Sequence, residues 1–341
     1  MNHMFSFMKS KKTVNIVIDD YVIRMAESSG EELSTVKLIK EEPLPSGLIE
    51  YGKIVDEIQF YGFMKNIVQK WGIKNQQVRF YVPSSLVIMR AVEYPAHLKK
   101  ENIKEYFMME IGETIHLPFQ NPIFDIHIFS TEQDHQPEED DVENTKKQGT
   151  LFAVPEDEMI KYTEIFSDVS LKPIVADVKE LGVYRYFNQM NQVDQEKSYL
   201  FFEFNLTSIH LSIFHNHQLE FLRYQQLHLE TQLWNARKGE NNTLTWAYAG
   251  DEEQKIGTIE DQINELERIM NFYRYSLHKG EKEVSEIFIL GDYPKLDQIY
   301  NRVKNQYNIT TRLLEEYSET KKEKMGAAFI PALGLALKED K

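Results

Sequence analysis

The chain has 341 residues, 42% of them hydrophobic and 12% aromatic, enough for two or three folded domains and too apolar for general disorder. Its 39 basic and 54 acidic residues leave a formal net charge of −15, which opposes binding to nucleic-acid phosphates or to an anionic membrane surface. With no cysteine there is no disulfide scaffold, no thiol nucleophile and no Cys-ligated metal centre. Near the N-terminus, Lys9, Lys11 and Lys12 follow the apolar residues Met4, Phe5, Phe7 and Met8, the reverse of a signal peptide. No apolar run approaches the roughly 18 residues of a membrane span, so a soluble cytoplasmic protein is expected.

In chain order, Val14–Glu27 reads as two β-rich runs flanking Asp19 and Asp20, a hairpin with a tight acidic turn. A strand is expected at Val36–Ile39, and a loop at Glu42–Gly47, where Pro43 and Pro45 cannot donate to a ladder. From Ile54, apolar residues at 54, 58, 61, 64, 68 and 71 give a helical period, with Gly72 placed to cap the helix. Val78–Val82 then forms a strand stopped by Pro83.

A second unit follows: a strand at Leu86–Val92, a helix carrying Ile103, Phe107, Ile111 and Ile115, and an alternating strand at Ile123–Phe129. Residues 132–147 are acidic and polar and read as a solvated loop. Thr150–Val154 resumes a strand, and Pro155, Glu156, Asp157 and Glu158 open a helix with carboxylates in its first turn. The last part begins with strands at Tyr199–Phe204, Ile209–Phe214 and Leu219–Tyr224, the latter two joined by a turn at His215, Asn216 and His217. Asn235–Gln254 reads as a flexible loop and Thr258 as the cap of the longest helix. A strand at Ile287–Leu290, a helix, a strand at Thr310–Leu314 and an uncharged helical stretch at Ala327–Leu337 complete the chain, Pro331 marking a helix start or a kink. No internal repeat is visible.

Chemistry-bearing patterns are sparse. Neither a P-loop nor a dinucleotide glycine motif occurs, and there is no nucleophile elbow. Asp19 and Asp20 have the residue type of a metal pair, but neighbours on a strand face opposite ways and a turn accounts for them better. His215 and His217 have the spacing of two ligands on one strand face, yet lack a third, and His116 and His127 are isolated.

An ordered series of short segments nevertheless resembles PilM, the actin-like family of type IV pilus assembly, related in fold to the cell-division protein FtsA. The carriers are Leu44–Ile49 with Gly52–Asp56, Val78–Ser85, and Ile88, Met89 and Arg90 with Tyr94 and Pro95. Glu110 leading to Ile115–Phe119 follows, then Asp125, Leu171–Asp177, the 258–277 helix with Ile287–Gly291, and the ending Ala332–Leu337. The resemblance implies a two-domain α/β actin-like fold: residues 1–83, 172–197 and the C-terminal helix 325–341 as subdomain 1A, an inserted α+β module over 84–171 with its acidic loop at 132–148, and a second domain over 198–324.

Family members enclose a nucleotide with two glycine turns and a later Gly–Gly pair, because only a backbone without Cβ approaches phosphates closely. Here Val17 and Asp19 stand at the first turn, Glu203, Phe204 and Asn205 at the second, and Gly291–Asp292 at the third, while Gln225 and Gln226 replace another glycine pair. These substitutions imply a pseudo-ATPase with no cofactor and no catalytic or metal-binding residue. The resemblance further implies a scaffold at the inner face of the membrane that holds the N-terminal cytoplasmic tail of a PilN-like bitopic protein. The family places that peptide in a groove between the first domain and the inserted module, which makes Arg90, Glu110 and Asp125 candidate groove residues. Pilus motor ATPases are further candidate partners. The alternative is a PilM that keeps ATP, the family's default ligand with magnesium.

Overall fold

The structure, a computed structural model, describes residues 12–128, 145–239, 243–317 and 326–339. The chain divides into two compact units, one built from residues 1–85 and 163–341 and the other from 86–162.

The larger unit opens on the expected hairpin. Strand β1 (Thr13–Asp19) pairs antiparallel with β2 (Val22–Ser28) across a turn at Asp20 and Tyr21, and β2 pairs with β3 (Val36–Pro43). Strand β3 thus runs to Pro43, beyond the expected loop boundary. As an edge strand it has no outer neighbour to which a missing N–H would matter. A short ribbon, β4 (Ile49–Glu50) and β5 (Lys53–Ile54), precedes helix α1 (Glu57–Trp71). Asp56 caps α1 by accepting from the Gln59 N–H at 2.9 Å, and Gly72 closes it in the left-handed conformation at φ 72°. The buried stripe is Phe60, Met64, Ile67, Val68 and Trp71. Ile58, expected on that stripe, is 85% exposed, because the true face is rotated one position around the helix. Strand β6 (Gln77–Tyr81) then lies parallel to β1.

Ser84–Leu86, where the chain passes into the smaller unit, is a single 3₁₀ turn, so the strand expected from Leu86 begins later, as β7 (Ile88–Pro95). Helix α2 (Lys100–Glu110), β8 (Pro122–Ile128) and β9 (Lys146–Pro155) follow. The sheet order is β7-β9-β8, all antiparallel, and Val92, Tyr94, Phe124 and Leu151 pack with Ile103 and Phe107 of α2. Of the acidic segment, residues up to 144 lie outside the described residues; its end belongs to β9, where Lys146 and Lys147 pair with Pro95 and Tyr94.

Helix α3 (Glu156–Asp168) leads back to the larger unit, where β10 (Lys172–Asp177) joins β6 in parallel and α4 (Lys179–Met190) follows. A second sheet is built from β11 (Ser198–Phe204), β12 (Ser208–His215) and β13 (Gln218–Gln226). Next come β14 (Trp234–Lys238), β15 (Leu244–Tyr248) and α5 (Glu252–Asn271), which continues as a π-helical turn over Phe272–Leu277. Then β16 (Val284–Leu290), α6 (Leu296–Gln306), β17 (Thr310–Leu313) and α7 (Ile330–Ala336) complete the chain. The region expected as a loop at Asn235–Gln254 is instead the paired ribbon β14–β15, whose Trp234, Trp246 and Tyr248 pack on the core. The α5 cap is Asp251, not Thr258. The Asp251 carboxylate accepts from Glu253 and Gln254, whereas Thr258 sits inside the helix and donates its hydroxyl to the Gln254 carbonyl.

The two five-stranded sheets have the same plan. The first is ordered β10-β6-β1-β2-β3 and the second β13-β12-β11-β16-β17, each an antiparallel three-strand meander extended beyond its first strand by two further strands parallel to it. The larger unit thus repeats one topology with no visible repeat in the sequence, because strand pairing constrains apolar placement rather than residue identity. Helix α4 connects the halves. Its Tyr184 stacks on Phe214 at 4.0 Å between centroids, and its Phe187 meets Phe288 at 4.7 Å. Helix α7, fully buried with Pro331 in its first turn, returns to pack on α4 and the first sheet. A Cβ on Gly334 would lie 2.0 Å from the Gly182 carbonyl oxygen, so the closing helix needs glycine to reach α4 this closely.

Candidate functional site

The ends of β1, β11 and β16 converge with the N-terminus of α4, bringing together residues from sheets far apart in sequence. Asp19 ends β1, Glu203 lies near the end of β11, and Lys179 opens α4. The Lys179 Nζ is 3.3 Å from Asp19 Oδ1 and 2.9 Å from Glu203 Oε1, with the lysine side chain 4% and the glutamate 6% exposed. Asn205 donates to Glu203 at 2.8 Å and accepts the Asp292 backbone N–H at 3.2 Å, tying the β11–β12 turn to the turn after β16. Gly291 in that turn has φ 127°, and a Cβ there would sit 2.1 Å from the Phe204 carbonyl oxygen. Glycine is required here for the close approach of one protein turn to another.

Arg24 forms a second hub. It faces Val17 across the β1–β2 ladder, and Val17 is a buried residue. The guanidinium lies 2.7 Å from Asp292, 2.9 Å from Glu41 and 3.8 Å from Asp19. Tyr21 donates its hydroxyl to Asp292, and Glu41 also accepts the Leu244 N–H. This hub therefore joins the first sheet to the β16 turn and to the β14–β15 ribbon. One step along α4, Glu180 bonds His210 at 2.9 Å, both buried. Asp20 faces the other way and accepts from the backbone N–H groups of Tyr51 and Gly52 at 2.8 and 3.0 Å.

The charges follow from these contacts. Burial alone would lower the Lys179 pKa, but Asp19, Glu203 and Glu180 outweigh it and hold the ammonium above its ordinary range. Burial would likewise raise Glu203, yet Lys179 and His210 keep it below the usual carboxylate range. Burial would lower Arg24, and Asp292, Tyr21 and Glu41 reverse it. Burial pushes the Asp20 carboxyl up to about 6, partly opposed by the two backbone N–H bonds. The space left among these groups, lined by Asp19, Asp20, Lys179, Ser84, Ser208 and His210, is about 30 Å³, room for one or two waters. A separate cavity of about 390 Å³ is lined by Arg24, Glu41, Trp246, Gly291, Asp292 and Phe329 among others.

Val17, Asp19, Glu203, Asn205, Gly291 and Asp292 thus come together as one cluster. The other expected residues do not. Arg90 opposes Leu151 on β9 and Asp125 opposes Phe152, so the two side chains leave opposite faces of the small sheet. Glu110 closes α2 and accepts from the Thr114 hydroxyl, while Asp125 accepts from the Ile126 N–H. None of the three pairs with another. His215 approaches the Ser198 hydroxyl and His217 the Tyr184 hydroxyl, so the two imidazoles are engaged separately. Among the described residues no group of three His, Asp or Glu side chains is disposed to hold a metal. Gln225 bonds Arg223 and Gln226 bonds Tyr224. Sequence reasoning missed Arg24, Glu41, Lys179, Glu180 and His210. Their only signal is a charge inside an apolar strand, as in Val22–Ala26, or directly after one, as at Lys179.

The sequence pattern of the family described as Type IV pilus assembly protein PilM matches residues 16–233. This chain belongs to the PilM family. Among solved structures, one described as a PilM–PilN type IV pilus biogenesis complex superposes with a TM-score of 0.74 at 15% identity, covering 96% of this chain and 98% of that one. A protein of Bacteroides thetaiotaomicron, described as having an actin-like ATPase fold and unknown function, superposes with a TM-score of 0.51 at 12% identity over 99% and 100% of the two chains. No curated protein matches in sequence. The fold of this PilM-family chain is therefore actin-like. Among the described residues no helix is long and apolar enough to cross a membrane.

Proposed function

We propose that this PilM-family protein is a type IV pilus assembly scaffold that binds the N-terminal cytoplasmic tail of a PilN-like membrane protein, and that it does so without nucleotide. On this reading residues 84–171 act as the inserted module, the protein reaches the inner face of the membrane through that partner, and any contact with motor ATPases is secondary. The observation that carries the nucleotide-free part is the chain of charges Glu41–Arg24–Asp292 and Asp19–Lys179–Glu203, all buried except the half-buried Asp19. Carboxylates and an ammonium fill the strand ends where the family's glycine turns would admit phosphates. Asp19, Glu203, Glu41 and Asp292 repel a polyphosphate, and a 30 Å³ space is far below the several hundred Å³ of a small-molecule site.

Arg90 supports the tail-binding part. It is exposed on β7, an edge strand of its sheet, and its side chain has no hydrogen-bond or ion-pair partner among the described residues. An extended peptide adding to such an edge gains main-chain hydrogen bonds and side-chain contacts. The competing ATP-binding reading has one observation in its favour, the 390 Å³ cavity that reaches Gly291 and Asp292. Its acidic lining, which also includes Asp297 and Glu316, opposes phosphate. Calorimetric titration of the full chain with ATP–Mg²⁺ decides between the two: no heat is expected, and saturable heat with a thermal shift beyond a Mg²⁺ control would defeat the nucleotide-free reading. At 1 mM ligand and a Kd of 10 μM the stabilisation is about 2.7 kcal/mol, well within reach of the assay.

A further inference from the structure

We infer that Lys179 is a tethered cation: its ammonium sits between Asp19 and Glu203 as the counter-ion that a dissolved metal would otherwise supply, latching the two sheets together with no ligand bound. The inference rests on the nucleotide-free reading and asks what replaces the missing cation. Asp19 belongs to the first sheet and Glu203 to the second, and each lies within 3.3 Å of the same nitrogen. Lys179 has only 4% of its side chain exposed. A helix N-terminus disfavours a positive charge, because the first-turn N–H groups already carry the positive end of the macrodipole. Lys179 is the first residue of α4, so helix electrostatics work against it and the two carboxylates must account for its position. Its three ammonium donors suit this use: one meets each carboxylate, and neither acid is left facing the other uncompensated.

A tethered cation predicts a substitution by a free one. Shortening Lys179 to alanine leaves a buried carboxylate (Glu203), a half-buried one (Asp19, 17% exposed) and the volume of the lysine stem beside a small water-sized space. A hard divalent ion with one or two carboxylates and several waters fits that arrangement. The unaltered chain, with lysine in place, should bind none there.

The test uses the full chain, Mn²⁺ as probe, and electron paramagnetic resonance to count bound ions. The unaltered protein is expected to take up no stoichiometric Mn²⁺ at this cluster. Lys179→Ala is expected to melt lower, to bind about one Mn²⁺ per chain, and to recover melting temperature with MnCl₂ but not with NaCl at equal ionic strength. Adding Glu203→Gln should weaken that binding by about tenfold or more. A folded Lys179→Ala that ignores Mn²⁺, or binds it equally well with Glu203→Gln, overturns the inference, as does a variant that stays unfolded at millimolar Mn²⁺. Stabilisation of the unaltered chain by ATP–Mg²⁺ would instead defeat the reading on which the inference rests. A chain blind to ATP whose Lys179→Ala variant is blind to Mn²⁺ defeats this inference alone.

Discussion

Replacing Arg24 by methionine keeps most of the apolar stem and removes the guanidinium, which isolates its electrostatic role. In the native protein that group is within 2.9 Å of both Glu41 and Asp292, each with 4% side-chain exposure. Without it, Asp292 keeps the Tyr21 hydroxyl and Glu41 keeps the Leu244 N–H, but two buried negative charges lose their shared cation. Removing one partner of a buried pair costs about 3–5 kcal/mol. At about 2–3 °C per kcal/mol for a unit of this size, the melting temperature should fall by roughly 6–15 °C. Differential scanning calorimetry at neutral pH measures this directly. Adding Asp292→Asn removes one orphaned charge, so Arg24→Met/Asp292→Asn should recover at least about 1 kcal/mol relative to the single variant. A fall below about 2 °C for Arg24→Met, or a double variant no better than the single, would refute the view that this hub joins the sheets by charge.

Gly291→Ala should leave little soluble protein, since its Cβ would lie 2.1 Å from the Phe204 oxygen at φ 127°, whereas Gly257→Ala, in open space inside α5, should stabilise by about 0.5–1 kcal/mol. Circular dichroism melts of the pair check both signs. Asp20 should titrate near 6 by carboxyl NMR. Because its pKa is raised from 3.8, the native state binds more protons than the unfolded chain between about pH 4 and 6. On this group's account stability falls as pH rises through that window, and Asp20→Asn should flatten the slope. Arg90→Glu should weaken a PilN-type tail by about 1–2 kcal/mol in fluorescence anisotropy while leaving the melting temperature within a degree or so, since Arg90 has no partner to lose among the described residues.

The elements written in local chemistry were legible. The β1–β2 turn, the Gly72 cap and the 215–217 hairpin each follow from residue types within a few positions. The errors lie where a longer-range partner decides. Ile58 has helical spacing yet faces away, because the core fixes which face of α1 is used. Residues 235–254 are polar enough to read as a loop, but three aromatic side chains on the β14–β15 ribbon find a core that no local pattern discloses. Of the charged cluster, Asp19, Glu203, Asn205 and Asp292 stood out in the sequence only as departures from the glycine turns that the resemblance implies. Their partners did not, since Lys179 meets Asp19 across 160 residues and Arg24 meets Asp292 across 268. A charge beside an apolar run says that a partner exists, not which one.

The central claim, a PilM-family scaffold closed by its own charges and independent of nucleotide, is tested most directly by titrating a PilN-type N-terminal tail peptide into the full chain by calorimetry, with and without ATP–Mg²⁺. The account predicts saturable binding with the same dissociation constant in both conditions. Binding that appears only with ATP–Mg²⁺, or tightens tenfold in its presence, would contradict it.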